Sequence, residues 1–204
     1  MKPGLLELLN IKFPIIMAPM FLVTNERMMV AASEAGISGC IPALNYRTLE
    51  ELSAVLKSIK SKNPAPVGVN LIVNKSNIHW KKQLHVCLDA GVDYFITSLG
   101  SPEEVIRESR SKNVKVFCDV VDEKYARRVE DLGADAVIAV NSGAGGHRGE
   151  IPASVLIPLL KKSCKIPVIA AGGVGTGSGI LSMLALGADG LSIGSPFIAS
   201  TESG

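Results

Sequence analysis

One histidine stands inside a run of small residues, Asn141-Ser142-Gly143-Ala144-Gly145-Gly146-His147-Arg148-Gly149. The four glycines leave few neighbouring side chains against which His147 could pack, and an imidazole titrates near neutrality. His147 is therefore a candidate general base or hydrogen-bond donor. Arg148 beside it can supply positive charge to an anionic substrate or form an outward salt bridge. The other two histidines, His79 and His85, lie among Lys81, Lys82 and Gln83 and read as solvent-facing helix residues. No second histidine or carboxylate neighbours His147 at metal-ligand spacing, so the sequence gives a metal site little support.

A second cluster is Gly172-Gly173-Val174-Gly175-Thr176-Gly177-Ser178-Gly179, followed later by Gly194-Ser195. One glycine would make a tight turn. Five in eight residues at the start of a helix let the backbone approach an anion, toward which the helix N–H groups point. This is a phosphate-binding pattern. Two further stretches, Met17-Ala18-Pro19-Met20 and Gly68-Val69-Asn70, end apolar runs and can line a flat cofactor. The Asn70 amide can both donate and accept, as a flavin edge requires.

What positions these groups is an alternation of short apolar runs with longer amphipathic stretches. The runs are Ile15 to Met20, Ser38 to Ala43, Val67 to Ile72, Asp93 to Leu99, Val114 to Val121, Ala134 to Asn141, Pro167 to Ala171 and Gly190 to Gly194. Most are unbroken and aliphatic, as parallel strands covered on both faces must be. Between them, Leu49, Leu52, Leu56 and Ile59 share one helical face, with Thr48 and Glu51 at capping-box spacing. Ser101-Pro102-Glu103-Glu104 reads as a cap, a first-turn proline and first-turn acid. Three helices are expected to stop at the glycines of Gly91-Val92-Asp93, Gly133-Ala134-Asp135 and Gly187-Ala188-Asp189.

Eight strands with intervening helices predict an α/β fold, a (β/α)8 TIM barrel forming a single domain over residues 1–204, with an open doubly wound sheet as the alternative. Neither a G-x-G-x-x-G at the first turn nor a P-loop supports the open sheet. In a barrel, the His147 loop and both glycine clusters all fall at the C-terminal ends of strands, where such folds carry their chemistry. Only Pro196 to Gly204 follows the last strand. The barrel is thus expected to lack its last helix and to be incomplete at the C-terminus.

Composition narrows the function. Of 204 residues, 47% are hydrophobic and 20% charged, the balance of a globular protein rather than of a coiled coil or a disordered chain. The net charge of +2 is too small for phosphate-backbone binding, so nucleic acid is not an expected partner. Cys40, Cys87, Cys118 and Cys164 form no C-x-x-C pair, which fits a reduced, cytoplasmic protein. Glu7, Asn10 and Lys12 interrupt any signal-peptide core, and no apolar run is long enough to span a bilayer.

The ordered set Met17-Ala18-Pro19-Met20, Gly68-Val69-Asn70, Ala144-Gly145-Gly146-His147-Arg148-Gly149, Ala170-Ala171-Gly172-Gly173-Val174 and Leu186-Gly187-Ala188-Asp189-Gly190 leading to Gly194-Ser195 resembles the nitronate monooxygenase family, formerly called 2-nitropropane dioxygenases. The resemblance implies an FMN-binding barrel that oxidises alkyl nitronates with O2, without a reduced nicotinamide, releasing a carbonyl compound and nitrite. It implies that His147 is catalytic, orienting the substrate or taking its α-proton. It assigns the FMN phosphate to Gly172, Gly173, Gly194 and Ser195, and the ring and ribityl chain to Ala18, Pro19, Met20, Asn70 and Gly145. The family's usual Gln or Glu seven residues before the histidine, and Glu four before it, are here Val140 and Gly143. Its members also continue past the last strand into a helical lid. Two alternatives accompany this reading: an FMN-dependent enoyl-acyl-carrier-protein reductase with a similar Gly-Gly-His loop, and a non-catalytic flavin- or phosphate-binding barrel.

Overall fold

The computed structural model describes residues 4–62 and 65–203. Eight strands run in parallel: β1 Ile15–Met17, β2 Ser38–Pro42, β3 Val67–Ile72, β4 Tyr94–Ser98, β5 Lys115–Val120, β6 Ala136–Val140, β7 Val168–Ala171 and β8 Gly190–Ile193. They pair in sequence order and close on themselves, with Ile15, Ile16 and Met17 of β1 opposite Leu191, Ser192 and Ile193 of β8. The open sheet is thereby excluded. Several strands are shorter than the apolar runs that announced them; Ala18, Pro19 and Met20 have already left β1, and Ala134 and Asn141 flank β6.

The outer layer comprises α2 Glu26–Glu34, α3 Leu49–Lys62, α4 Trp80–Asp89, α5 Glu103–Arg110, α6 Glu123–Leu132, α7 Ala153–Ser163 and α8 Gly177–Ala185. On α3 the expected box forms: Glu51 N donates to Thr48 Oγ1 at 3.1 Å, the Thr48 N–H reaches Glu51 Oε2 at 3.4 Å, and Leu52, Leu56 and Ile59 are buried. The start of α5 differs from expectation. Pro102 itself occupies the cap position, and the Ser101 hydroxyl only approaches Glu103 N at 3.5 Å.

Because strand side chains alternate faces, one set of residues fills the barrel while the other packs under the helices. Ile16, Cys40, Tyr94, Ile96, Phe117, Ile138 and Ile169 form the inner cluster. The Tyr94 and Phe117 rings stack with centroids 5.1 Å apart, and the Tyr94 hydroxyl donates to Gly39 O at 3.0 Å and lies 2.9 Å from Ser38 Oγ. This ring explains Gly68: a Cβ there would lie 2.2 Å from Tyr94 Cζ, so the barrel interior has no room for one.

A short helix not anticipated from the sequence, α1 (Leu5–Leu9), plugs the barrel floor with Leu5 and Leu9. Leu5 sits where a side chain on Gly190 would stand. At the same end, the repeated Gly-x-Asp triplets perform one device three times. Gly91, Gly133 and Gly187 take left-handed φ values of 73°, 95° and 102°. The following carboxylates then accept an N–H at the first or second residue of the preceding strand: Asp93 from Val67 at 2.8 Å, Asp135 from Val116 at 2.9 Å and Asp189 from Val168 at 2.8 Å. Lys60 and Lys161 pair with Asp93 and Asp189 at 2.7 and 2.5 Å.

After β8 the chain, to the last described residue, has no outer helix of the length of α2–α8, as expected. It forms a one-turn helix, α9 Ser195–Ile198, and a 3-10 turn at Thr201–Ser203. That turn docks on the start of α2, where Asn25 Nδ2 donates to Glu202 O at 2.9 Å while Asn25 Oδ1 caps α2 by accepting from Met28 N. Among the described residues no helix is long and apolar enough to cross a membrane. All four cysteines are buried, and none is joined to another in a disulfide.

Candidate active site

Every glycine loop singled out in the sequence lies at the C-terminal mouth of the barrel. The pairing of Ala171 with Ser192 sets the β7 and β8 exits side by side, which brings Gly172 and Gly173 to the same rim as Gly194 and Ser195. Ala18 joins them through its N–H to Ile193 O at 2.8 Å, and a Cβ on Gly194 would lie 3.5 Å from Met20 Sδ. Pro19 is half-buried between them.

The β6 and β7 loops are packed backbone against backbone. Gly172 adopts φ +108°, and a Cβ there would lie 2.4 Å from Ala144 N. No side chain fits at this crossing. Asn141, which is buried, ties the two loops: its Oδ1 accepts from Gly143 N at 2.7 Å and its Nδ2 donates to Gly172 O at 3.1 Å. Beyond the crossing the backbone opens. A Cβ on Gly175 or Gly177 would meet nothing within 4 Å, and one on Gly173 would meet only Gly143 Cα, at 3.8 Å. Thr176 caps α8 by accepting from Gly179 N at 3.2 Å. Accessible backbone at a capped helix start, walled by glycine, has the form of an anion seat.

Beside that seat, between β4, β5 and β6, is a cavity of about 620 Å³. His147 and Arg148 line it, as do Asp119, Val121, Tyr125, Arg128 and Val140. None of the nine residues expected to hold a cofactor does so. The mouth thus has two adjacent zones, a glycine rim on the β7–β8–β1 side and a mixed polar and apolar cavity on the β4–β6 side. Gly145 stands exposed with open space around it, on the loop that carries His147. His147 is itself exposed, and Arg148 turns back to donate to Ser142 O at 3.1 Å rather than reaching outward to a carboxylate.

The polar residue that the sequence reading passed over is Asp119. In the sequence it lies within the apolar run Val114 to Val121, and the signal it offers is that a carboxylate on a strand covered on both faces is accommodated at the barrel mouth. Asp119 ends a hydrogen-bonded chain across three strands. Asn70 Nδ2 donates to Ser98 Oγ at 2.9 Å and to Ile96 O at 3.0 Å, and Ser98 O–H donates to Asp119 Oδ2 at 2.5 Å. Both amide hydrogens of Asn70 are thereby committed, so it is the acceptor Oδ1 that the side chain can offer to a bound group. Burial pushes the Asp119 carboxyl up to about 6, against the opposing pull of the Ser98 hydroxyl. Burial also raises Tyr125, whose hydroxyl donates to Gly100 O and joins the β4 loop to α6. The Cys118 thiol is held protonated, pushed up to about 12 by burial.

A closed parallel barrel whose glycine loops and residue-lined cavity share its C-terminal mouth has the layout of the (β/α)8 enzyme class. Within that class the chain belongs to the nitronate monooxygenase family, whose model matches residues 2–79 and 73–204. A probable nitronate monooxygenase of Staphylococcus haemolyticus is 30% identical over 247 residues, covering 98% of this chain and 68% of that protein. A Rhodococcus jostii protein named as a 5-hydroxy-7a-methyl-1-oxo-octahydro-1H-indene-4-carboxyl-CoA dehydrogenase is 30% identical over 203 residues; the chain is covered entirely but spans only 57% of that relative. Among solved structures, FabK of Thermotoga maritima superposes with a TM-score of 0.92 at 35% identity, over 100% of this chain and 65% of that one.

Proposed function

We propose that this chain is an FMN-dependent nitronate monooxygenase, oxidising alkyl nitronates with O2 to a carbonyl compound and nitrite. The observation that carries the reading is the juxtaposition of an open glycine rim with a cavity lined by His147, Arg148 and apolar side chains. The rim residues fit a flavin phosphate: Gly172 and Gly173 follow β7, Gly194 and Ser195 follow β8, and the free space at Gly173, Gly175 and Gly177 leaves backbone accessible. Ala18, Pro19, Met20, Gly145 and the Asn70 Oδ1 acceptor would line the remainder of the cofactor. Bound there, FMN would supply the electron-accepting chemistry that no side chain provides.

The protein's own part is recognition and charge placement. Val121 and Val140 offer an apolar wall for an alkyl group. His147 and Arg148 place hydrogen-bond donors where the anionic oxygens of a nitronate would lie, and a preorganised donor stabilises that charge better than solvent does. His147 is the residue expected to orient the substrate. The matching test supplies ethyl nitronate to the FMN-loaded protein without nicotinamide and follows O2 uptake with nitrite release. Coupled uptake and release are expected; turnover only with a reduced nicotinamide and an enoyl thioester would replace this reading.

A reductase or dehydrogenase acting on acyl thioesters is the second reading. It is favoured by the exposed Arg128 and Arg148 at the cavity, suited to a phosphorylated carrier, and by the coenzyme A ester in the name of the Rhodococcus relative. The non-catalytic alternative is separated from both by the absorbance spectrum, since a barrel that binds no flavin after FMN is added supports neither enzyme.

A further inference from the structure

Outside glycine, four of the described residues take left-handed φ values. Two are asparagines, Asn10 and Asn113, whose short polar side chains tolerate that conformation. The other two are leucines, and one of them, Leu99 at φ 56°, lines the cavity at the barrel mouth. A branched side chain takes this conformation only at a cost, which persists where the surroundings fix the backbone on both sides. Here they do. Before Leu99, the Ser98 carbonyl accepts from Val73 N at 3.0 Å and the Ser98 hydroxyl donates to Asp119 Oδ2 at 2.5 Å. After it, Gly100 has φ 132°, its carbonyl accepts from the Tyr125 hydroxyl, and a Cβ there would lie 2.3 Å from Val73 O.

Glycine at position 99 would make the same turn without strain. What leucine adds is a side chain, and the protein does not cover it. Leu99 is 39% exposed, as is Val121, and neither belongs to the buried clusters or to the residues packed against them. With Val140 they are the aliphatic residues of the cavity lining. At about 620 Å³ the cavity is of the size that holds a ligand many atoms larger than ethyl nitronate. We propose that Leu99 is a specificity-determining residue: its side chain meets the apolar chain of the substrate, so that the cavity selects a nitronate carrying a long alkyl group over a short one. The identity of the anionic head rests on the nitronate reading; the contact between Leu99 and the chain does not.

The size of the effect follows from area. Burying one methylene against an apolar wall strengthens binding by up to about 4-fold, so affinity climbs with chain length for as long as the added carbons reach Leu99 and Val121.

The test is calorimetric titration of the purified protein, with FMN present, by straight-chain carboxylates from acetate to octanoate. These offer the planar anionic head of a nitronate and do not react. The affinity of the parent should rise about 3- to 4-fold per methylene. Leu99→Gly removes the contact and the strain together, so the dependence should flatten to under about 2-fold per methylene, while acetate binds as in the parent and thermal unfolding comes no earlier. Leu99→Ala keeps the strained φ without the contact and should flatten the dependence as well, whereas Leu99→Met restores apolar length and should recover it. An equal or steeper dependence in Leu99→Gly, or no dependence on chain length in the parent, would overturn the proposal. So would earlier unfolding of Leu99→Gly, the mark of a leucine that packs on the protein itself. None of these results bears on the nitronate reading, which O2 uptake with ethyl nitronate decides separately. A carboxylate series that behaves as expected in a protein that turns over no nitronate keeps Leu99 in its role and removes only the nitronate head.

Discussion

Replacing Asp119 by Asn has a stability consequence that can be worked out from the barrel alone. The folded protein raises this carboxyl from 3.8 to about 6, chiefly because the mouth desolvates it. The protonated form is therefore favoured by folding, and between those two values the native state binds more protons than the unfolded chain. Stability then falls as pH rises through this window, and the cost is fully present above about 6. A shift of about two pH units at 1.36 kcal/mol each amounts to about 3 kcal/mol. Asn has the same shape, carries no charge at any pH, and keeps an Oδ1 to accept from Ser98, so Asp119→Asn should be more stable than the parent by up to about 3 kcal/mol at pH 7–8 and nearly equal to it below pH 4. For a chain of this size that is roughly 6–12 °C in midpoint. Thermal unfolding followed by circular dichroism from about pH 4 to 8 reads it directly. A variant whose advantage is absent, or the same at both ends of the range, would refute the burial argument.

Three further outcomes are expected. Gly68→Ala drives a methyl group into the Tyr94 ring and should cost about 1–3 kcal/mol by denaturant unfolding, with partial recovery when Tyr94→Leu is combined with it. Asn141→Ala leaves Gly143 N and Gly172 O without their shared partner; a loss of about 1–3 kcal/mol is expected together with weaker FMN binding, read by flavin fluorescence. Asp189→Ala removes the acceptor of Val168 N and Lys161 at the opposite end of the barrel, so unfolding should become easier by about 1–2 kcal/mol while FMN affinity is unchanged.

Much of the barrel was legible because its signals are periodic and local. The unbroken Ala136-Val137-Ile138-Ala139-Val140 has the length and composition of a strand covered on both faces, and the three Gly-x-Asp triplets mark helix ends in the sequence itself. The role of their aspartates was not legible, since the N–H each accepts belongs to a strand more than twenty residues away in two cases and nineteen in the third. Helix α1 escaped because five residues are too few to show a period, and its task of plugging the floor is visible only once β8 supplies Gly190 beneath Leu5. At the mouth, glycine density announced the β6, β7 and β8 loops, whereas the Asn70–Ser98–Asp119 chain depends on the stagger between three strands. Each of those residues is unremarkable in its own segment. Only closure of the barrel puts them on one level.

The most direct measurement is the visible absorbance of the FMN-loaded protein mixed anaerobically with ethyl nitronate or, separately, with NADH. Bleaching of the flavin by ethyl nitronate alone, reversed on admitting air, is the result expected of a nitronate monooxygenase. Bleaching by NADH, with the spectrum unmoved by ethyl nitronate, would contradict it.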